Sequence, residues 1–348
     1  MNRIPATAWT RHHACTPQIT RTRAIETLTG PGTPLELHDI AVGGRTVRMF
    51  RHAPRSLRAM CEAAVSPLPF LVYEEERFTF AEAWQSASRI AHVLVHGCGV
   101  RPGDRIAIAR RNYPEWMLAF SAITSIGAVA VAINSHWQSD ELAYGPKDCG
   151  ATVLLADQER LDRVAEAAPI PGLQLLAVRA TRLPSGARSL EALMEALGDV
   201  PMPPATIALD DIAMILYTSG SSGHPKGVPS SHRNVLAALL PWELDRNIVA
   251  LTSGVAPTDP TEQPGTLLAV PLFHVTGLNA SYLSSYRMQS RVVSMYRWDP
   301  ELAAALIDRE RLTSVGGPAA ITGDLVRIAQ TGATTWPRCR VSARCCST

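Results

Sequence analysis

The sequence predicts an α/β protein built from two stacked βαβ-type subdomains. Strand-like apolar runs alternate with helix-like segments from Ser56 onward, the pattern of sheets covered by helices. A proline cluster at Pro201, Pro203 and Pro204 interrupts that alternation once. The 348 residues, 46% hydrophobic and 18% charged, are enough for roughly two cores at about 150 residues each. Such a composition excludes disordered and fibrous classes. A net charge of +2 offers no field to draw in a nucleic acid. No run of about 18 apolar residues is present to cross a bilayer.

Residues 1–55 read as an N-terminal extension. Arg3, Arg11, Arg21 and Arg23 precede the first acidic residue, Glu26, which suits either an organellar transit peptide or an extended start. With no apolar stretch of the secretory kind, the cytoplasm is the expected compartment. Residues 56–205 read as the first α/β subdomain. Phe70–Tyr73 and Arg77–Phe80 predict a hairpin around Glu74–Glu76, and Thr79 with Glu82 predicts a capping box opening a helix that stops at Gly97 and Gly99. Arg105–Ala109 predicts a buried strand, and Pro114 a helix start. Strands follow at Ala128–Ile133, Thr152–Ala156 and Leu173–Val178, with a helix over Gln158–Ala168. Gly145 and Pro146 are expected to kink or break a helix between Ala143 and Cys149, because proline removes an amide and clashes with the preceding turn.

Residues 206–329 read as the second subdomain, with strands at Ile212–Tyr217, Thr266–Val270 and Arg291–Met295. The last stretch, 330–348, changes character. Its arginines, with Cys339, Cys345 and Cys346, show no apolar periodicity, and it reads as an aberrant, frameshifted tail. The seven cysteines form no Cys-x-x-Cys pair. Cys15, Cys61, Cys98 and Cys149 read as scattered thiols of a reducing compartment.

The segment richest in chemistry follows the strand Ile212–Tyr217. Thr218, Ser219, Gly220, Ser221, Ser222 and Gly223 form a loop of glycines and hydroxyls, closed by Pro225, Lys226 and Gly227, with a helix expected from about Ser231. Glycines let successive amides point at one spot, hydroxyls add donors and metal ligands, and the lysine adds a compact cation. Of 33 basic residues only Lys147 and Lys226 are lysine, so the placement of Lys226 is informative. The spacing is not that of a Walker A loop, since Pro225 and Val228 stand at the wrong positions.

The string Tyr217–Gly227 resembles the signature phosphate loop of the adenylate-forming superfamily, with Ser222 where threonine is usual. Ala269–Leu278 resembles that superfamily's next motif. Gly103–Arg105, Asn112–Trp116 and Ile133–Trp137 match its fatty-acyl-CoA synthetase branch, so the resemblance covers roughly residues 25–329. It implies a fold, the superfamily's N-terminal domain, with the β-barrel subdomain and the C-terminal domain missing from this chain.

It also implies ligands and chemistry: ATP, Mg²⁺, a fatty or other carboxylic acid, and coenzyme A. The acid would be converted to an acyl-adenylate with release of pyrophosphate, and then to a thioester. By that resemblance Thr218, Ser219, Ser221 and Ser222 would hold phosphate oxygens, and Thr218 the metal as well. Gly220 and Gly223 would permit the bend, while Lys226, beside Gly227, would offset phosphate charge. His274 would lie beside the carboxylate, with Phe273 and Gly277 at the acyl pocket.

The adenine-stacking, ribose-binding and C-terminal lysine motifs are not found in the sequence, and catalysis is therefore expected to be incomplete. Two alternatives stay open: a nucleotide-binding remnant without turnover, and an amidase-like serine hydrolase, which would need Lys147.

Overall fold

A computed structural model of the chain describes residues 19–218, 223–253, 262–330, 336 and 339–343. Its contacts divide into two units, Met1–Ala53 with Leu240–Glu262, and Pro54–Leu239 with Gln263–Thr348. The described part of the smaller unit carries helix α1 (Arg21–Thr29) and an antiparallel hairpin of β1 (Leu37–Val42) and β2 (Arg45–Phe50).

The larger unit opens with α2 (Leu57–Ala63), β3 (Pro69–Tyr73), β4 (Glu76–Thr79) and α3 (Phe80–His92). The capping box forms as the residues dictate. Thr79 Oγ1 accepts from the Glu82 amide at 3.1 Å, and Glu82 Oε2 accepts from the Thr79 amide at 2.8 Å. A π-helical turn, Val93–Gly97, ends this helix. Next come β5 (Arg105–Ala109), α4 (Pro114–Ser125) with proline in its first turn, and β6 (Val129–Ala132). They are followed by α5 (Ser139–Cys149), β7 (Ala151–Asp157), α6 (Gln158–Ala165), β8 (Gln174–Val178), β9 (Ala187–Ser189) and α7 (Leu190–Glu195). The chain continues through β10 (Ile212–Thr218), β11 (Lys226–Ser231) and α8 (His232–Ser253). It ends with β12 (Gly265–Leu268), a π-helical stretch (Thr276–Leu283), α9 (Ser284–Met288), β13 (Arg291–Ser294), α10 (Pro300–Arg309), β14 (Ser314–Gly317), α11 (Ala319–Gln330) and β15 (Arg340–Ala343).

Two sheets organise the larger unit. One has the order β11-β10-β6-β5-β7-β8-β9, the other β15-β14-β12-β13-β3-β4. Alternation along the strands sends side chains to opposite faces. Ile106 and Ile108 of β5 join a core shared with α2, α3, α4 and, from the other sheet, Leu71, Leu268 and Val292. Ala107 and Ala109 face the opposite way, into a cluster with Trp137, Leu142 and Leu161. On the far face of the other sheet, Val72, Leu267, Val293 and Val315 pack against Leu306, Ile307 and Leu325. The result is two sheets with helices between and outside them. Helix α4 lies in the middle layer, where eleven of its twelve residues are buried.

Two expectations are corrected. First, sheet membership does not change at residue 205: β3 and β4 belong to the sheet of the second half, while β10 and β11 belong to that of the first. The proline stretch marks an irregular return to a sheet, since Met214 of β10 pairs in parallel with Ala130 of β6. Second, α5 runs unbroken through Pro146. Gln138 and Glu141 form a capping box at its start, and Gly150, left-handed at φ 66°, closes its end. The 330–348 stretch contains one described strand. β15 pairs in parallel with β14, and Trp336, Cys339 and Val341 pack against the core of that sheet. Its arginine and cysteine content had hidden the strand. Among the described residues no helix is long and apolar enough to cross a membrane.

Candidate functional site

Strand β10 ends at Thr218, and the chain returns as β11 rather than entering a helix directly, so the expected helix start at Ser231 becomes His232. The described residues on either side of the glycine–hydroxyl segment are therefore paired as antiparallel strands. Ser219, Gly220, Ser221 and Ser222 lie outside the described residues. The roots of the loop are described: Thr218 faces Lys226, and Tyr217 faces Gly227. Thr218 Oγ1 donates to the Lys226 carbonyl at 3.4 Å, and both side chains are exposed. Gly223 has φ 98°, a conformation that favours glycine. Gly227 answers to packing: a Cβ there would lie 2.9 Å from Ile215 Cγ2.

The second motif lies beyond β12. Asn112, in the loop after β5, reaches across from the other sheet. Its Nδ2 donates to the Val270 carbonyl at 3.0 Å, and its Oδ1 accepts from the Leu272 amide at 3.0 Å. Its own carbonyl accepts from Ser294 Oγ at the end of β13. A buried side-chain amide thus does what a neighbouring strand would do, satisfying a carbonyl and an amide together.

The turn so fixed carries Phe273 and His274. Phe273 is buried, with its ring 5.8 Å from that of His136 at 77°. His274 projects to the surface, and its amide donates to the Pro271 carbonyl at 3.1 Å. Partial burial of the ring pushes its pKa below the ordinary histidine value. Gly277 is forced by the same turn, because a Cβ there would come within 2.4 Å of the Pro271 oxygen.

These groups share one topological position. Thr218 ends β10, Asn112 follows β5, His136 follows β6 and His274 follows β12. In open α/β sheets ligands bind outside the carboxyl ends of parallel strands. Among the described residues no hydrogen bond or ring contact joins Thr218 or Lys226 to Phe273 or His274. The connection runs through the sheet, from β10 to its neighbour β6 and the loop that brings His136 to Phe273.

The sequence reading missed an aromatic and guanidinium cluster along the same edge. Tyr113 lies 5.6 Å from Tyr73 and 5.5 Å from Tyr296, ring centre to ring centre. The Arg179 guanidinium stands 5.0 Å from the Tyr113 ring and 5.4 Å from that of Tyr73, and it pairs with Glu76 at 2.6 Å and Glu115 at 2.8 Å. Burial opposes the Arg179 charge, but the two carboxylates outweigh it and raise the pKa. The available signal was positional: each of these residues ends or closely follows an apolar strand, or lies on the element after it.

Among the described residues no group of three or more His, Cys, Asp or Glu is placed to hold a metal ion. Lys147, which the amidase alternative would need, is exposed in the last turn of α5.

Residues 62–343 match the model of the AMP-binding enzyme family. The chain belongs to that family. Among its relatives are a feruloyl-CoA synthase of an Amycolatopsis species, 32% identical over 69% of this chain and 43% of that protein, and a long-chain-fatty-acid–CoA ligase of Mycobacterium tuberculosis, 32% identical over 70% and 45%. A solved fatty acyl CoA synthetase of Mycobacterium tuberculosis superposes with a TM-score of 0.70 at 25% identity, over 83% of this chain and 54% of that one. The chain thus spans under half the length of these two curated relatives. As an AMP-binding enzyme family member it shares the α/β fold of that superfamily's N-terminal region, and its relatives are acyl- and aryl-CoA ligases.

Proposed function

We propose that this chain carries the nucleotide- and carboxylate-handling part of an ATP-dependent acyl-CoA-forming ligase. In that chemistry a carboxylate oxygen attacks the α-phosphorus of ATP and the bond to pyrophosphate breaks; the thiolate of coenzyme A then attacks the acyl carbon of the adenylate, forming the thioester as the acyl–phosphate bond breaks and AMP leaves. A carboxylate approaching a polyphosphate meets like charge. The protein's task is to supply fixed positive charge and donors before the two meet. Lys226 offers a cation at the hairpin root, and Thr218 offers a hydroxyl directly opposite. Magnesium, when bound, would neutralise phosphate charge.

His274 stands on the neighbouring edge as the residue beside the carboxylate. Partial burial lowers its pKa and so favours the neutral ring, which can donate a hydrogen bond to the acid without a tight ion pair. Phe273 and Gly277 shape the start of the acyl site. The acid is fatty or aromatic, since curated relatives of both kinds match at the same identity.

The observation that supports this most directly is the Thr218–Lys226 rung at the carboxyl end of β10, a partly buried strand that runs parallel to β6. Calorimetric titration with MgATP and with tripolyphosphate tests it. Lys226→Ala is expected to weaken both at least about tenfold, the loss of a charge-assisted contact. Equal affinity in the variant and the parent chain overturns the reading. Pyrophosphate exchange with a panel of fatty and aromatic acids then distinguishes a ligase from a module that only holds the nucleotide.

A further inference from the structure

We propose that helix α5 clamps both roots of the glycine–hydroxyl loop, with Tyr144 and Asp148 as positioning residues and His224 as their partner, so that Thr218 and Lys226 keep the spacing a polyphosphate needs. The proposal rests on the phosphate reading above and adds to it a helix that no loop motif includes.

On the outgoing strand, the Tyr217 hydroxyl donates to Asp148 Oδ2 at 2.7 Å, with the Gly145 carbonyl 3.1 Å away. On the returning side, the Tyr144 hydroxyl lies 3.0 Å from Asp148 Oδ1 and 3.3 Å from the Pro225 carbonyl. The Tyr144 ring stacks on the His224 imidazole, 4.9 Å between centres and 22° between planes. Each hydroxyl has one proton, and Asp148 has one oxygen for each tyrosine, so a single carboxylate ties the two sides together. Burial, and then the bond to Asp148, push the Tyr217 phenol well above its ordinary pKa, which keeps it a donor.

Tyr217 immediately precedes Thr218, and Pro225 immediately precedes Lys226. The clamp thus acts one residue away from each member of the rung. The helix can serve as an anchor because it is fixed at both ends: Gln138 and Glu141 cap its start, and Arg105 Nη1 donates to the Cys149 carbonyl at 2.9 Å. Asp148 and His224 are exposed and Tyr144 is half-buried, so their contacts contribute little to global stability. Their effect falls on the geometry of the rung, and a ring stack at the loop is the part most readily removed and restored.

Calorimetry on the full chain with tripolyphosphate and MgATP tests this, with the unfolding midpoint of the unliganded protein recorded beside each affinity. Tyr144→Ala is expected to weaken binding about fivefold and His224→Ala about threefold, each the scale of a lost positioning contact, with unfolding midpoints little changed. His224→Phe restores a ring for the stack and should bind within about twofold of the parent chain. If Tyr144→Ala fails to fold, the His224→Ala and His224→Phe pair at an exposed position decides the matter alone. Parent-like affinity in Tyr144→Ala and His224→Ala, alongside weakened Lys226→Ala, overturns the clamp and leaves the phosphate reading standing. His224→Phe as weak as His224→Ala also overturns it. Parent-like affinity in Lys226→Ala removes the phosphate reading, and the clamp with it.

Discussion

The Thr218–Lys226 rung and the His274 turn both lie at carboxyl strand ends, yet they are built by opposite means. The rung is exposed, and Thr218 and Lys226 are joined by one 3.4 Å hydrogen bond beyond the strand ladder. The turn is over-determined. Asn112 satisfies Val270 and Leu272, Gly277 presses on the Pro271 carbonyl, and Phe273 is buried. On the proposed reading, the residues that would receive a mobile, highly charged ligand stay accessible, while the turn that would present His274 to a carboxylate is set by buried hydrogen bonds, whose loss is costly.

The largest expected effect breaks the rigid side. Asn112→Asp places an acceptor where the Val270 carbonyl needs a donor and adds a buried charge. The cost is expected to be on the order of 4 kcal/mol of stability, read from denaturant midpoints. Asn112→Ala leaves the same carbonyl and amide unpaired and should cost somewhat less, about 2–3 kcal/mol. A loss under about 1 kcal/mol for both variants, the scale of an ordinary surface substitution, would show that the turn holds without this bridge.

Much of the local structure was legible because its causes are local. The Thr79–Glu82 capping box, the Pro114 helix start and the Arg105–Ala109 strand follow from residues a few positions apart. What failed depends on distance along the chain. Asn112 could be quoted as a motif letter, but its partners lie 158 and 160 residues away, and no spacing rule reveals them. Strand β11 was missed because Gly227 and Pro229 argue against a strand. It is tolerated as the edge of its sheet, where proline's missing amide need not face a partner. The assignment of β3 to the sheet of the second half is likewise a matter of topology. Of the glycine–hydroxyl loop, the residue types and order were legible in the sequence, while the hairpin form of its roots came only from the structure.

A smaller effect uses the other end of the same hairpin. Where the Thr218–Lys226 rung is exposed, the base is buried: His232 directly follows β11 and is fully buried, and its Nδ1 accepts from the Leu57 amide at 3.1 Å, which caps the start of α2. Burial pushes its pKa down to about 4. In the unfolded chain the ring would titrate near its usual value of about 6.5. Above that pH neither state is protonated, and the ring costs nothing. As pH falls from about 6.5 to about 4 the unfolded state takes up a proton that the folded state refuses, so stability drops, by about 3 kcal/mol in all, and the loss then levels off. Partly buried His274 acts in the same direction, so the comparison must be with His232→Gln, whose stability profile should be flatter over that window. Parallel profiles for the two proteins would mean that the base of the hairpin is open to water.

The smallest expected effect on stability is also the one that gives the comparison its functional meaning. Lys226 is exposed at the last rung of an edge strand, and replacing it removes no buried contact. Lys226→Ala should therefore shift the unfolding free energy by no more than about 0.5 kcal/mol. The same substitution is expected to abolish most of the affinity for polyphosphate. A residue whose removal spares the fold and removes the ligand is held for the ligand, whereas Asn112 is held for the fold that orients His274. Measuring both quantities on both variants separates the two regions directly. If Lys226→Ala proved as destabilising as Asn112→Ala, the rung would be a structural part of the hairpin, and the contrast between an open site and a fixed one would disappear.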